Sequence, residues 1–261
     1  MKIFSLKGVI IINNLTLNEY LIEKNISVIG EYFKEEKSTD DIKILSQVLL
    51  INKVDIILSN YYGNGTTRIN STVGKKIESI KVEIKKLRRD LRIREKKDNL
   101  NVMDKFILEN GESILKRGEE TINLINEIDY LNIIRRSMKE NEICLGRVGE
   151  DNLREGETIE IGSLKNISYN LKEEDIYEYL RRVRRRKIQF KEDYYIDEFI
   201  KGANLKKYSK DYIKILLQIP YDTLRQWYRY SQGKRRIMPD KYLENIKFTS
   251  RYEIKKMKGG N

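Results

Sequence analysis

The segment Glu142 to Leu164, EICLGRVGEDNLREGETIEIGSL, gathers the side chains best placed to do chemistry. It reads as a short strand, a polar loop and a β-hairpin. A strand that feeds a polar loop containing an Asn is a common setting for phosphate chemistry. The loop offers the guanidinium groups of Arg147 and Arg154 and the carboxylates of Glu150 and Asp151. Arg147 and Arg154 are candidates to hold an anion, and the plainer reading makes both solvated surface residues. Asn152 is either a metal ligand or a turn residue that bonds the local backbone, and the turn role is the better fit.

The rest of the composition narrows the chemistry. The 261-residue chain has no His and a single Cys, Cys144. Imidazole bases, His-containing catalytic triads, His-ligated zinc and internal disulfides are therefore excluded. A lone Cys and the lack of a cleavable leader pattern at MKIFSLKGVIIINN predict a cytoplasmic protein, and no apolar run is long enough for a membrane span. The formal net charge of +12 favours anionic partners. A Lys-, Ile-, Asn- and Tyr-rich composition of the kind an AT-rich coding sequence gives explains part of that charge equally well.

The elements that must position the loop are mostly helices. Residues 1–37 read as short strands, among them GVIII and NISVIGEY. Ser38 or Thr39 caps a helix whose apolar face carries Ile42, Leu45, Val48 and Leu49. Asn60–Ser71 is a loop. Ile77, Ile80, Ile84, Leu87 and Leu91 recur at helical spacing and predict a helix over Thr72–Lys97. A second follows over Asn101–Glu127, where Gly111 and Gly118 mark a break or close packing, and a third over Asp129–Glu140. From Lys172 the pattern is helical, with helices expected at Tyr194–Gly202, Ser209–Gln218, Tyr221–Ser231 and Asp240–Ile246. The order lacks strand–helix alternation, a Rossmann glycine pattern and a Walker loop.

Two basic segments lie outside the loop. The run RRVRRRK (Arg181–Lys187), with Arg184 and Arg185, is a candidate nucleic-acid or acidic-protein contact, although a charge run is usually a solvated helix face. KILLQIPYDTLRQWYRYSQGKRR (Lys214–Arg236) has a helix-turn-helix profile, with Thr223, Arg225, Gln226 and Arg229 expected to face outward. The competing reading is a helical hairpin with Leu224 and Trp227 in the core.

The loop segment resembles the aminoglycoside-phosphotransferase branch of the kinase-like proteins. That branch follows its strand with His-Gly-Asp and then an Asn, and places a metal-binding Asp triplet after the hairpin. In ICLGRVGEDN, Gly146 matches the motif Gly and Asn152 the motif Asn. Leu145 stands at the His position and Arg147 at the catalytic Asp position. Gly162, Ser163 and Leu164 lie across the metal-binding triplet, and Asp175 in EEDIYEYLRRV matches an Asp of the helix that follows. TVGKKIESIKVEIKKL, DKFILENGESILKRGEETI and LLQIPYDTLRQWYRY are similar to segments of spore-coat kinase-fold proteins of the CotS type. The likeness runs from about Asp40 to Tyr230.

The resemblance implies a mainly α fold with a small β component. Residues 1–38 would be a truncated N-terminal β element, the remnant of a kinase N-lobe, and residues 39–261 a helical kinase-like C-lobe. Arg147 cannot accept a proton, and Gly162 and Leu164 cannot ligate Mg²⁺. The expectation is a pseudokinase that is not an enzyme and uses no cofactor or metal. It would have a structural or scaffolding role, protein partners such as other coat proteins, and assembly into a spore coat. If active, it would be an atypical small-molecule phosphotransferase. The alternative is a DNA-binding protein using residues 214–236.

Overall fold

The structure is a computed structural model that describes residues 15–34, 39–63, 68–186, 191–233 and 237–253. The expected GVIII strand, Lys187, the Lys234–Arg236 end of the basic segment and the chain's last residues lie outside the described residues. In chain order the elements begin with α1 (Leu17–Glu23), β1 (Ile26–Val28), α2 (Asp41–Ser59), β2 (Asn70–Ser71), α3 (Lys75–Arg94), α4 (Val102–Glu127) and α5 (Tyr130–Glu140). They continue with β3 (Ile143–Cys144), β4 (Leu153–Glu155), β5 (Ile159–Ile161), β6 (Ser168–Tyr169), α6 (Lys172–Arg186), α7 (Glu192–Gly202), α8 (Lys207–Gln218), α9 (Tyr221–Ser231) and α10 (Pro239–Glu253). The fold is mainly helical with small sheets, as the sequence predicts.

The chain divides into two compact units, one of residues 1–73 and 132–210 and the other of residues 74–131 and 211–261. Residues 39–73 thus fall in the same unit as residues 15–34. The first unit holds both small sheets. In one, β5 lies between β1, which runs parallel to it, and β4, which pairs antiparallel as the expected hairpin. In the other, β6 lies between the parallel β2 and the antiparallel β3.

Local signals set the helix starts. Residues 17–23 are helical, against the expectation of strands throughout this region. Thr16 and Glu19 form a reciprocal capping box, in which the Thr16 amide donates to the Glu19 carboxylate at 2.7 Å and the Glu19 amide to the Thr16 hydroxyl. Asp40, rather than Thr39, caps α2 by accepting from the Ile42 amide at 2.8 Å, and Ser38 lies outside the described residues. Inside this unit Arg136 is a charged strut. It donates to Glu142 at 3.0 and 3.1 Å, to both oxygens of Glu173 at 2.8 Å and to the Ser209 hydroxyl at 3.0 Å. Both carboxylates are buried, and Lys172 reaches only Glu142, at 3.6 Å, so loss of Arg136 would leave Glu173 as an uncompensated acid in the interior.

In the second unit α3 turns its Ile77, Ile80, Ile84, Leu87 and Leu91 inward, all buried. α4 runs unbroken through Gly111 and Gly118. A Cβ at Gly111 would stand 2.8 Å from Trp227 Cη2, and one at Gly118 would stand 2.9 Å from Ile84 Cδ1. Each glycine therefore marks close packing, at a helix-propensity cost of roughly 1 kcal/mol relative to Ala.

α9 packs against α3, α4 and α10. This corrects the helix-turn-helix expectation at Thr223, which is fully buried rather than outward. Its hydroxyl donates to the Glu253 carboxylate at 2.7 Å, and the Asp222 and Thr223 amides donate to the same group at 2.7 and 2.9 Å. Glu253, at the end of α10, thereby satisfies the open amides at the start of α9. Arg225 and Arg229 remain exposed.

Burial, followed by the neighbouring Asp222, raises the Glu253 carboxyl to about 7, against the hydrogen bonds that favour its charged form. The folded chain therefore binds this proton more tightly than the unfolded chain does. The resulting stabilisation is full below the unfolded value near 4.5 and fades as pH rises through about 7. Glu253→Gln should remove that dependence. Between about pH 5 and pH 8, wild type should lose on the order of 2–3 kcal/mol relative to the variant in urea unfolding. Parallel pH profiles would contradict the assignment.

Candidate functional site around the 145–152 loop

The loop leaves β3 at Leu145 and is held from below by Asp175, in the first turn of α6. The Leu145 and Gly146 amides donate to the two oxygens of this buried carboxylate at 2.8 and 2.9 Å. Burial drives its pKa upward, and the two amide bonds oppose that by favouring the charged form. Gly146 has φ +72°, and a Cβ there would lie 2.5 Å from the Asn166 carbonyl oxygen. Only glycine meets both conditions without strain. Leu145, at the motif's His position, is fully buried and serves the core.

Asn152 closes the loop from the other end. Its Nδ2 donates to the Arg147 carbonyl at 2.8 Å and the Ser163 carbonyl at 3.1 Å. Its Oδ1 accepts from the Ser163 amide at 2.7 Å. The carboxamide thus ties the loop to the segment after β5.

The tip of the loop is cationic. Arg147 lies over the Tyr32 ring, 3.9 Å from its centroid, and donates to Asp151, with Nε–Oδ2 at 2.8 Å. Asp151 also accepts from Arg182 at 3.0 Å. Burial would raise the Asp151 carboxyl, but Arg147 and Arg182 outweigh that and hold it below its ordinary value. Arg154 donates to Glu160 at 2.5 Å and lies over the Phe33 ring at 3.9 Å. Glu150 accepts from Tyr179 at 3.1 Å and from Arg186 at 3.0 Å.

The arginine run of α6 is therefore an internal device rather than a free basic face. Arg181 pairs with Glu178, Arg182 with Asp151, Arg184 with Glu192 and Arg186 with Glu150. Arg184, a candidate anion contact by sequence, is buried against Glu192, while Arg185 is exposed. Tyr32, Phe33, Arg182 and Asn166 belong to the site, and sequence reasoning missed them.

The chain beyond β1 lies along this site. The Ile29 amide donates to the Ile161 carbonyl at 2.9 Å, Gly30 to Gly162 at 2.8 Å, and Phe33 to Asp151 at 2.9 Å. A Cβ at Gly162 would stand 2.7 Å from the Glu31 carbonyl oxygen and 3.0 Å from Asn152 Oδ1. Mg²⁺, the ion this kind of site implies, does not fit the residues at the motif positions. Arg147, Gly162 and Leu164 offer no carboxylate, and both ends of the Asn152 amide are already committed. Among the described residues there is also no group of three or more Asp, Glu, Cys or His suited to a metal ion.

No family model matches the sequence, and no curated protein matches it. The fold does have a counterpart among solved structures. The crystal structure of an aminoglycoside phosphotransferase from Alicyclobacillus acidocaldarius superposes with a TM-score of 0.68 at 10% identity, covering 92% of this chain and 77% of that one. The fold is that of an aminoglycoside phosphotransferase. This overturns the expectation of a non-enzyme, because the architecture is one that carries phosphotransfer. The spore-coat type, the pseudokinase reading and the scaffolding role rest on the sequence resemblance alone. Among the described residues no helix is long and apolar enough to cross a membrane.

Gly162→Asp, which places a carboxylate at the motif position, should destabilise the first unit by about 2–4 kcal/mol by forcing the 29–33 segment away. Chemical denaturation measures this, and a variant as stable as wild type would show that the segment yields without cost.

Proposed function

We propose that the chain is an atypical small-molecule phosphotransferase-like protein that binds the phosphate groups of a nucleotide at the 145–152 loop, with Arg147 as the charge that meets them. The observation that carries this reading is the retained loop frame with a guanidinium at its tip. Asp175, Gly146 and Asn152 hold the backbone from three sides. Arg147, whose side chain is 31% exposed, sits where the motif places an acid.

Arginine suits that task. Its planar fork of donors matches phosphate oxygens and keeps its charge at any working pH. Asp151 and the Tyr32 ring fix the plane of the guanidinium before a ligand arrives. Arg182 relieves Asp151 of part of its charge, leaving Arg147 less fully neutralised by its partner. Asp151 acts here as a positioning residue, because its lowered pKa makes it a poor proton acceptor. No step in this reading passes through Mg²⁺.

ATP should stabilise the protein in a thermal-shift titration to a similar extent in EDTA and in Mg²⁺, by about 2.7 kcal/mol at a hundredfold excess over Kd. Arg147→Ala should weaken ATP binding by roughly 1.5–3 kcal/mol, the usual worth of a hydrogen bond to a charged group. Absence of ATP stabilisation in both conditions, or binding that survives Arg147→Ala, would contradict the proposal.

A further inference from the structure

The second unit contains a cavity of ≈ 420 Å³ that the 145–152 loop does not share. One wall is a face of α3. Lys75, Ser79, Val82 and Lys86 follow one another at spacings of four, three and four and so share one side of the helix. Arg225 and Tyr228 of α9 form the opposite wall. Lys86 Nζ and Arg225 Cζ stand 5.5 and 6.0 Å from the Tyr228 ring centroid, which brings both cations to one aromatic ring.

The charges around this cavity are arranged unlike those of the first unit. Among the described residues Lys75 and Lys86 make no ion pair with a carboxylate, whereas the arginines of α6 are committed to acids. Glu83 lies between the walls with a side chain only 12% exposed, and Arg225 approaches it at 3.5 Å. Burial raises its carboxyl, against the pull of Arg225. Glu78, already paired with Lys81, completes the lining.

We infer that this cavity binds a phosphomonoester of a small polyol, with the phosphate between Lys86 and Arg225 and the hydroxyl groups toward Ser79 and the acidic side. Two cations beside one ring, in an opening of small-molecule size, fit one phosphate group, and Lys75, about 16 Å along the helix from Lys86, lies at the far end of the cavity. Glu78 and Glu83 accept hydrogen bonds from hydroxyl groups and repel a longer run of phosphates, which selects against a nucleic-acid strand. The Tyr228 ring and the exposed Val82 provide an apolar surface for the carbon skeleton.

The test is an NMR titration of the full chain, followed at Tyr228 and Lys86, with glucose 6-phosphate and with glycerol 3-phosphate. Inorganic phosphate, glucose and a single-stranded oligothymidylate are added separately. At least one phosphomonoester should bind saturably and about tenfold more tightly than inorganic phosphate or glucose. Lys86→Ala and Arg225→Ala should each weaken that binding about tenfold, and Lys86 is an exposed position whose loss leaves the core intact. Arg147→Ala should leave it unchanged, which separates this site from the nucleotide proposal. The inference is overturned if neither phosphomonoester saturates, if Lys86→Ala binds as wild type does, or if the oligothymidylate binds more tightly than either phosphomonoester.

Discussion

The buried carboxylate of Asp175 receives the amide of the buried Leu145 and, nearer the surface, that of Gly146. The buried Leu145 amide left unpaired would cost about 1–3 kcal/mol, so the loop stays where Asp175 holds it. Everything above depends on that position. Gly146 can turn only because its left-handed backbone and its approach to Asn166 need no side chain. Asn152 can reach Ser163 only because the loop returns at the right height. Arg136, with Glu142 and Glu173, fixes the approach to β3 and the start of α6, the two pieces that Asp175 joins.

On that frame the tip of the loop carries arginines stacked on rings and paired with acids. A loop that positions acids around a divalent ion needs space beside residue 162. Here the Glu31 backbone occupies that space, and arginines lie over the rings of Tyr32 and Phe33. The 29–33 segment and the two guanidinium groups support each other. The rings hold the arginines flat, and backbone bonds to Ile161, Gly162 and Asp151 hold the segment. In the proposed function, Arg147 would meet phosphate directly, without a metal carried on carboxylates.

Much of the scaffold was legible in the sequence because it rests on periodicity. The α3 stripe is buried as its spacing demands, the hairpin at Glu155–Gly156 forms, and α9 occupies Tyr221–Ser231 as read. The misses have local or long-range causes. The Thr16–Glu19 box was visible as T-x-x-E and was obscured by the apolar residues around it. Thr223 looked like an outward polar residue because its partner, Glu253, is thirty positions away. The α6 arginines looked free for the same reason, since Asp151 and Glu150 are distant in sequence from Arg182 and Arg186. The glycine at 162 could be noticed in the sequence, but the Glu31 carbonyl 2.7 Å from where its Cβ would stand could not.

The most direct test of the account is amide hydrogen exchange in Asp175→Ala. If Asp175 carries the loop, the Leu145 and Gly146 amides should lose protection along with the rest of 145–152, while the α3 and α4 amides of the second unit keep theirs. Unchanged protection at Leu145 and Gly146 would show that the loop is held by something other than this carboxylate, and the frame on which Arg147 is placed would have to be assigned anew.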